Sequence, residues 1–286
     1  MIRNGIFSLC LSLSVLFLAS CKKSTNDYVD PYQTINNLSY GSDPSETMDL
    51  YLPTSRNADS TKLLVLIHGG AWTEGDKKDF DVYLPVLKQR LPGWAFANIN
   101  YRLATTIINH FPTQENDMKL AVDFLSDKSS TYQFSKKFVF LGASAGAHMA
   151  LLQAYKNNSP HIEAVVDFYG PSDMKALYDS AAPGSINQVG LQILMNGTPL
   201  QNPSMYQSSS PINFISAQTP PTLILHGSAD LIVPVSESVG LRHQLQQAGI
   251  PVELDIYPNM GHEIWPDPIM NDAFDKIGNF IKTYVH

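Results

Sequence analysis

The stretch from Lys137 to Ala150 constrains the fold more than any other part of this sequence. A short apolar run, the length of a buried strand, leads into Gly142-x-Ser144-x-Gly146, and small and apolar residues typical of a helix follow. A strand that turns sharply into a helix strains its turn residue, and the flanking glycines let neighbouring backbone pack closely. The pattern predicts that Ser144 is a nucleophile at a helix N-terminus. The alternative is an ordinary strand-to-helix corner with an idle serine.

Apolar runs typical of buried strands alternate with helical patterns along the chain. The predicted strands are 62–67, 94–100, 137–142, 163–169, 221–226 and 252–257. This alternation predicts an α/β fold, with a mostly parallel sheet and helices on both faces. Two strand-like pieces within 32–53, on either side of Gly41, predict an antiparallel N-terminal edge hairpin. Ligands of such folds bind beyond the carboxyl ends of the strands.

One long connection interrupts the alternation of strands and helices. Residues 171–219 separate two predicted strands and are rich in Pro, Ser, Asn and Gln. So long a connection is usually functional, so we expect a lid or wall of the substrate site here, the alternative being a surface excursion that only packs. We predict one domain over residues 36–286 that contains this insertion.

The chain has 286 residues, of which 44% are hydrophobic and 16% charged, so it can bury a sizeable core. Its net charge of −7 gives no basic footprint for nucleic acid. No metal-binding motif, phosphate-binding loop or dinucleotide fingerprint is present, so we predict neither a metal nor a cofactor. The composition leaves the oligomeric state open.

The N-terminus reads as a targeting segment. A positive charge at Arg3 and a short apolar run precede Leu18-Ala19-Ser20-Cys21, which resembles the bacterial lipoprotein signal. The resemblance implies a signal peptide over residues 1–20, lipidation of Cys21 and a tether over residues 21–35. An ordinary signal peptide cut nearby is the alternative. Because Lys22 follows the cysteine, the resemblance implies the bacterial cell envelope, with the outer membrane favoured and its face left open.

Two polar residues downstream of Ser144 complete a possible catalytic set. Asp230 follows the strand 221–226, and His262 follows the strand 252–257. A serine hydroxyl needs a base to take its proton and an acid to support that base. All three residues would lie at one edge of the sheet, which predicts roles as nucleophile, acid and base.

Other assignments stay open at this stage. Asp167 and Asp173 also lie near a strand end and could supply the acid instead of Asp230. Asp230 and His262 could also be turn residues without a catalytic role.

A glycine-rich loop supplies candidates for an oxyanion hole. Gly69 and Gly70 follow the strand 62–67, and Ala145 follows the nucleophile. Their backbone N–H groups are therefore predicted to stabilise a developing oxyanion. Trp72, in the same loop, either packs that loop or contacts substrate.

These motifs resemble the α/β-hydrolase superfamily, and within it the HGG-type serine carboxylesterases close to bacterial feruloyl and acetyl-xylan esterases and to the hormone-sensitive-lipase group. The matching pieces cover most of residues 45–284: His68-Gly69-Gly70-Ala71-Trp72, Asn100-Tyr101-Arg102-Leu103, Gly142-Ala143-Ser144-Ala145-Gly146, Ser210-Pro211-Ile212, His226-Gly227-Ser228-Ala229-Asp230 and Gly261-His262. The third glycine of the usual motif is Ala71, which leaves a third oxyanion donor in doubt. The long helical N-terminal cap of hormone-sensitive-lipase relatives is absent, which implies an open pocket.

The resemblance implies a serine carboxylesterase that acts through an acyl-enzyme, on ester substrates such as acetyl or feruloyl esters of plant polysaccharide. Arylformamidases and peptidase-like α/β-hydrolases share the pattern and remain alternatives. A non-catalytic glycan-binding lipoprotein is an alternative of another class. Trp72, Tyr206 and Trp265 are candidates for an aromatic substrate wall.

Overall fold

A computed structural model describes residues 32–158 and 162–286, and within these ranges eight strands form one sheet. The predicted signal peptide, Cys21 and most of the tether lie outside the described residues. The strands are β1 (Gln33–Ser39), β2 (Thr47–Leu52), β3 (Leu63–Ile67), β4 (Ala95–Ile99), β5 (Phe138–Ala143), β6 (Ile162–Phe168), β7 (Thr222–Gly227) and β8 (Val252–Tyr257).

The strands follow the order β1-β2-β4-β3-β5-β6-β7-β8 across the sheet. β1 pairs with β2, and β2 with β4, in antiparallel fashion, and every later pairing is parallel. The predicted parallel sheet with an antiparallel N-terminal hairpin is therefore confirmed. β8 is the exception among the strands predicted to be buried. It is partly exposed because it has a neighbour on one side only.

Helices flank the sheet. Within the described ranges they are α1 (Leu84–Arg90), α2 (Thr113–Tyr132), α3 (Ala145–Lys156), α4 (Met174–Ser180), α5 (Ile186–Leu194), α6 (Pro203–Ser208), α7 (Ser236–Gln247) and α8 (Asp267–Tyr284). Short 3₁₀ segments cover Lys77–Tyr83 and Pro211–Phe214. No helix of residues 32–158 and 162–286 is long and apolar enough to cross a membrane.

Alternation along the central strands builds a core on each face of the sheet. Leu63 and Val65 of β3 face a core shared with α2, α3 and α7, whereas Leu64 faces a core shared with α1 and α8. Side chains of a strand point alternately to opposite faces, so a fully apolar strand needs cover on both. Helices on both faces, as predicted, provide that cover.

The long connection 171–219 folds into α4, α5, α6 and the second 3₁₀ segment, with no strand among its residues in the structure. The 3₁₀ segment packs against α3, the helix that follows Ser144. Within this connection α5 has an apolar face, and its Leu191 and Leu194 are buried. The connection thus packs on α3 and contributes buried leucines to the core on that face of the sheet.

Candidate active site

Ser144 occupies the sharp turn between β5 and α3. Its backbone angles, φ 54° and ψ −119°, lie in a region that non-glycine residues rarely adopt. Its amide donates to the carbonyl of Phe168, 2.9 Å away, which ties the turn to β6. A Cβ on Gly142 would lie 2.3 Å from the carbonyl carbon of Gly146, and one on Gly146 would lie 2.0 Å from the Ile67 oxygen. Glycine is therefore required on both sides of the serine.

A chain of hydrogen bonds joins the three residues predicted to act together. Ser144 Oγ lies 2.8 Å from His262 Nε2, and His262 Nδ1 lies 2.6 Å from Asp230 Oδ2. A carboxylate only accepts, so Nδ1 carries the proton and Nε2 is left to accept from the serine hydroxyl. The structure thus brings together Ser144, His262 and Asp230 with the tautomer that a base needs.

The Asp230 carboxylate is itself held on several sides. Its other oxygen accepts from the amides of Ile232 and Val233, each at 2.9 Å. Burial acts to raise the pKa of Asp230, but the hydrogen bonds from His226 and His262 outweigh it and hold that pKa well below its usual range. The group is therefore a permanent anion at neutral pH.

His226 lies behind the Asp230 carboxylate. Its Nε2 is 2.9 Å from the Val233 carbonyl and 3.3 Å from Asp230 Oδ2, while Nδ1 is 2.6 Å from Ser238 Oγ. Both Nε2 neighbours accept, so Nε2 donates and the serine hydroxyl donates to Nδ1. His226 is thus a buried structural support for the acid.

The loops after β7 and β8 pack directly on each other. Gly227 has no room for a side chain, because a Cβ there would lie 2.1 Å from the Met260 carbonyl oxygen. The Ala229 amide donates to that same carbonyl at 2.9 Å. The ring of Tyr169, at the end of β6, covers the His262 ring at 4.6 Å between centroids. These contacts fix the separation of Asp230 and His262.

The glycine-rich loop passes beside Ser144. A Cβ on Gly69 would lie 3.3 Å from the Ser144 Cβ. Gly70, Ala71 and Trp72 all have positive φ, at 100°, 48° and 61°. Ala145, the first residue of α3, belongs to the turn whose N–H groups have no partner within the helix. The backbones predicted for the oxyanion hole therefore converge at one edge of the sheet.

Two cavities meet at Ser144 and share Ala71, Glu74 and Ile232. The larger, about 430 Å³, contains His262 and three carboxylate residues: Glu74, Asp79 and Glu263. The smaller, about 330 Å³, is lined mainly by apolar side chains of the glycine-rich loop, of the 171–219 connection and of the residues after β7: Trp72, Pro171, Leu177, Ile186, Leu191, Ile232 and Val233. The connection thus lines part of the space beside Ser144.

Of the aromatic residues predicted for a substrate wall, only Trp72 lines either cavity at Ser144. Tyr206 is buried elsewhere, its hydroxyl bonded to the Gly197 carbonyl at 3.1 Å. Trp265 is buried under the site, where its indole N–H donates to the Gly261 carbonyl at 3.0 Å. The prediction for Tyr206 and Trp265 is corrected, because both rings are taken up by packing.

The two alternative acids lie apart from His262. Asp173 caps α4 by accepting from the Lys175 and Ala176 amides. Asp167 is fully buried in β6, accepts from the Gly170 amide at 2.7 Å, and burial raises its pKa to about 7. Over residues 32–158 and 162–286, His, Cys, Asp and Glu form no group of three that could hold a metal ion.

Three features of the site were not predicted from the sequence. They are the ring of Tyr169 on His262, the support of Asp230 by His226, and a hydrogen bond between Trp72 and His148. The one signal for the first was the position of Tyr169 at the end of the predicted strand 163–169. The other two join histidines that look like ordinary core residues in the sequence.

The chain belongs to the BD-FAE family, whose model matches residues 48–245. It is 30% identical over 229 residues to a probable carboxylic ester hydrolase of Mycobacterium tuberculosis, LipM, an alignment that covers 76% of this chain and 50% of LipM. The fold also resembles a truncated carbohydrate esterase from gut microbiota, with a TM-score of 0.71, 25% identity, and coverage of 86% of this chain and 96% of the other. A bifunctional GH43-CE protein of Bacteroides eggerthii gives a TM-score of 0.75 and 26% identity, covering 88% of this chain and 38% of that one.

These likenesses confirm the α/β-hydrolase fold, and the relatives themselves are named esterases. The chain spans about half the length of the curated esterases of M. tuberculosis that it matches. What those longer proteins do as a whole is therefore a guide for this chain and not a description of it.

Proposed function

We propose that this protein is a serine carboxylesterase that works through an acyl-enzyme. The observation that carries the proposal is the hydrogen-bonded chain from Ser144 through His262 to Asp230, set beside the glycine-rich loop. Membership of a family whose relatives are named esterases supports it.

In the acylation step, Ser144 Oγ attacks the ester carbonyl while His262 Nε2 takes its proton. The bond to the alcohol oxygen then breaks, and the imidazolium returns the proton to that oxygen as the alcohol leaves. Asp230 keeps the proton of the neutral ring on Nδ1 and stabilises the imidazolium.

Charge on the carbonyl oxygen is stabilised by the amides of Ala145, Gly69 and Gly70. Each such donor typically contributes roughly 10²–10³ in rate. In the second half of the reaction His262 removes a proton from water, which attacks the acyl group, and Ser144 leaves with that proton. The products are a carboxylic acid and the regenerated serine.

For the substrate we propose acyl esters of plant polysaccharide, acetyl or feruloyl. Likeness to a solved carbohydrate esterase supports a sugar as the alcohol. An apolar cavity of about 330 Å³ beside the nucleophile supports an acyl group with apolar surface. Its walls include residues of the 171–219 connection, which we propose to be a substrate-binding insertion of a single catalytic domain.

The test is a panel of esters offered to residues 22–286 and to the Ser144→Ala variant. It contains nitrophenyl esters from acetate to decanoate, methyl ferulate and acetylated xylan. We expect hydrolysis by the unmodified chain and a loss of at least roughly 10³-fold in the variant. Equal inertness of both proteins on every ester would remove the proposal. Faster cleavage of a formanilide or a peptide amide than of any ester would replace it with one of the alternative hydrolases.

We also propose that Cys21 carries a lipid that anchors the protein in the bacterial cell envelope, with the outer membrane favoured. The support is the sequence Leu18-Ala19-Ser20-Cys21 after a short apolar run. Expression of the full chain in a bacterium with radiolabelled palmitate tests this. Label in the wild type and its absence in Cys21→Ser are expected, and equal label in both would contradict the anchor.

A further inference from the structure

His148 is a fully buried polar side chain, one turn after Ser144 in α3. Its Nδ1 lies 3.2 Å from the indole nitrogen of Trp72, and its Nε2 lies 2.7 Å from the carbonyl oxygen of Ser209. The indole N–H only donates and the carbonyl only accepts, so Nδ1 accepts and Nε2 donates. The ring is therefore neutral, with one defined tautomer.

The electrostatics agree with a neutral ring. Burial lowers the pKa of His148 to about 4, against the opposing effect of its bond to the Ser209 carbonyl. At the pH of the assay the Nδ1 lone pair is free to accept from Trp72. A second proton on the ring would remove that acceptor.

This one ring joins three parts of the site. Trp72 belongs to the glycine-rich loop, His148 to the helix that begins after the nucleophile, and Ser209 to the 171–219 connection. The Trp72 and His148 rings also meet edge to face at 5.2 Å between centroids. The His148 side chain thus connects three segments that are far apart in the chain.

A stabilising contact of this kind matters for the glycine-rich loop because the backbone of that loop is strained. Ala71 and Trp72 both have positive φ, a conformation that residues with a side chain rarely adopt. The backbone of Trp72 is held from the other side by the Ala104 amide, which donates to its carbonyl at 2.8 Å. The indole bond to His148 fixes the side chain of the same residue.

We propose that His148 is a positioning residue that holds Trp72, and through it the Gly69 and Gly70 amides, in the geometry needed to bind an oxyanion. The inference rests on the proposed esterase function. His148 touches neither substrate nor the reacting atoms in this account. Its effect is on the transition state, because the oxyanion forms there and the ground-state ester carries no such charge.

Three variants distinguish the effects of the two hydrogen bonds that the His148 ring makes. In His148→Asn the amide oxygen lies near the Nδ1 position and accepts from Trp72, while the Ser209 contact is lost. In His148→Gln the amide nitrogen lies near the Nε2 position and donates to Ser209, while the acceptor for Trp72 is lost. Trp72→Phe removes the indole donor without touching His148 and serves if a His148 variant fails to fold.

With nitrophenyl acetate we expect His148→Gln and Trp72→Phe to lower kcat by about 10- to 100-fold, as displacement of a catalytic group by a fraction of an ångström to about 1 Å does. KM should stay within about twofold, and His148→Asn should keep kcat within about threefold. The double variant His148→Gln/Trp72→Phe should be no worse than the poorer single variant, because both remove the same bond. A trifluoromethyl ketone, whose adduct with Ser144 carries an oxyanion, should bind His148→Gln about 10-fold or more weakly.

Hydrogen exchange of the peptide covering residues 68–80 gives a readout that needs no activity. Faster exchange at residues 69–75 is expected in His148→Gln and Trp72→Phe, but not in His148→Asn. If the wild type hydrolyses no ester yet exchange changes in this pattern, the proposed function and the oxyanion role fall, and only the conclusion that His148 holds the loop stands. Unchanged exchange, a change in KM alone, or equal damage from Asn and Gln would overturn the inference.

Discussion

The two cavities that meet at Ser144 differ in charge and in origin. Glu74 lines both, but only the larger also contains His262, Asp79 and Glu263, and its lining includes no Lys or Arg. The smaller is largely apolar and takes part of its wall from the 171–219 connection. One is built from the loops that bear the proposed oxyanion hole and base, and the other partly from an insertion between two strands.

This difference indicates which part of an ester each cavity takes. The base that returns a proton must reach the oxygen of the leaving alcohol. His262 lines the acidic cavity and not the apolar one, so we expect the alcohol in the former and the acyl group in the latter. Carboxylates that accept from sugar hydroxyls suit a neutral alcohol, and they disfavour an anionic one.

The largest expected effect is a loss of kcat that does not depend on which cavity the ester fills. Asp230→Asn should lower kcat by about 10³–10⁴ for every ester, because the imidazolium loses its charged partner and the ring its defined tautomer. Asp173→Asn is the matched control: it keeps a side chain that can cap α4. It should stay within about threefold of wild type. A strong loss of kcat in Asp173→Asn and none in Asp230→Asn would instead indicate that Asp173 is the catalytic acid.

A smaller effect on kcat/KM is expected when the apolar cavity is narrowed, and only for esters with a large acyl group. Gly190 lies in α5 at its wall, and a Cβ there would meet no atom within 4 Å. Gly190→Leu should lower kcat/KM for methyl ferulate and nitrophenyl octanoate by about 10-fold, a transition-state loss of about 1.4 kcal/mol, and for nitrophenyl acetate by less than about twofold.

Gly240→Leu is the matched control for this prediction. Gly240 also lies in a helix with open space at its Cβ, but it lines neither cavity at Ser144. Both variants should raise the free energy of unfolding by about 0.5–1 kcal/mol, because leucine favours a helix more than glycine does. The assignment of the apolar cavity to the acyl group would be contradicted if both variants lost the same kcat/KM for nitrophenyl octanoate. It would also be contradicted if Gly190→Leu lost as much kcat/KM for nitrophenyl acetate as for nitrophenyl octanoate.

The smallest effect should concern charge in the acidic cavity. Wild type should favour acetylcholine over its neutral isostere 3,3-dimethylbutyl acetate, and Glu263→Gln should reduce that preference by about twofold at low salt. The effect should fade in 0.5 M salt, because Glu263 is exposed and screened. Glu253→Gln, an exposed residue of β8 outside both cavities, controls for net charge. A preference that neither salt nor Glu263→Gln alters would contradict the alcohol assignment.

Much of the fold and the residues that meet at Ser144 could be predicted from the sequence. Ser144, Asp230 and His262 each follow a strand of the parallel part of the sheet, so their arrival at one edge could be predicted without knowledge of any contact. The G-x-S-x-G spacing is also locally specific, because Gly142 and Gly146 have no space for a side chain.

The walls of the cavities could not be predicted in the same way. Aromatic residues fill cores and line pockets with the same local pattern, so Tyr206 and Trp265 looked like wall residues although both are buried. The bond between Trp72 and His148 joins residues 76 positions apart, and no periodicity signals it. Such contacts depend on how segments far apart in the chain pack on one another, which sequence spacing does not encode.

The central claim is that Ser144 is the nucleophile, and covalent labelling tests it most directly. Residues 22–286 would be treated with a fluorophosphonate, digested and analysed by mass spectrometry, with Ser144→Ala alongside. The account predicts one phosphonyl group per chain, on Ser144, and loss of ester hydrolysis in proportion to labelling. Ester hydrolysis that survives complete labelling of Ser144, or a label on another residue with Ser144 free, would contradict it.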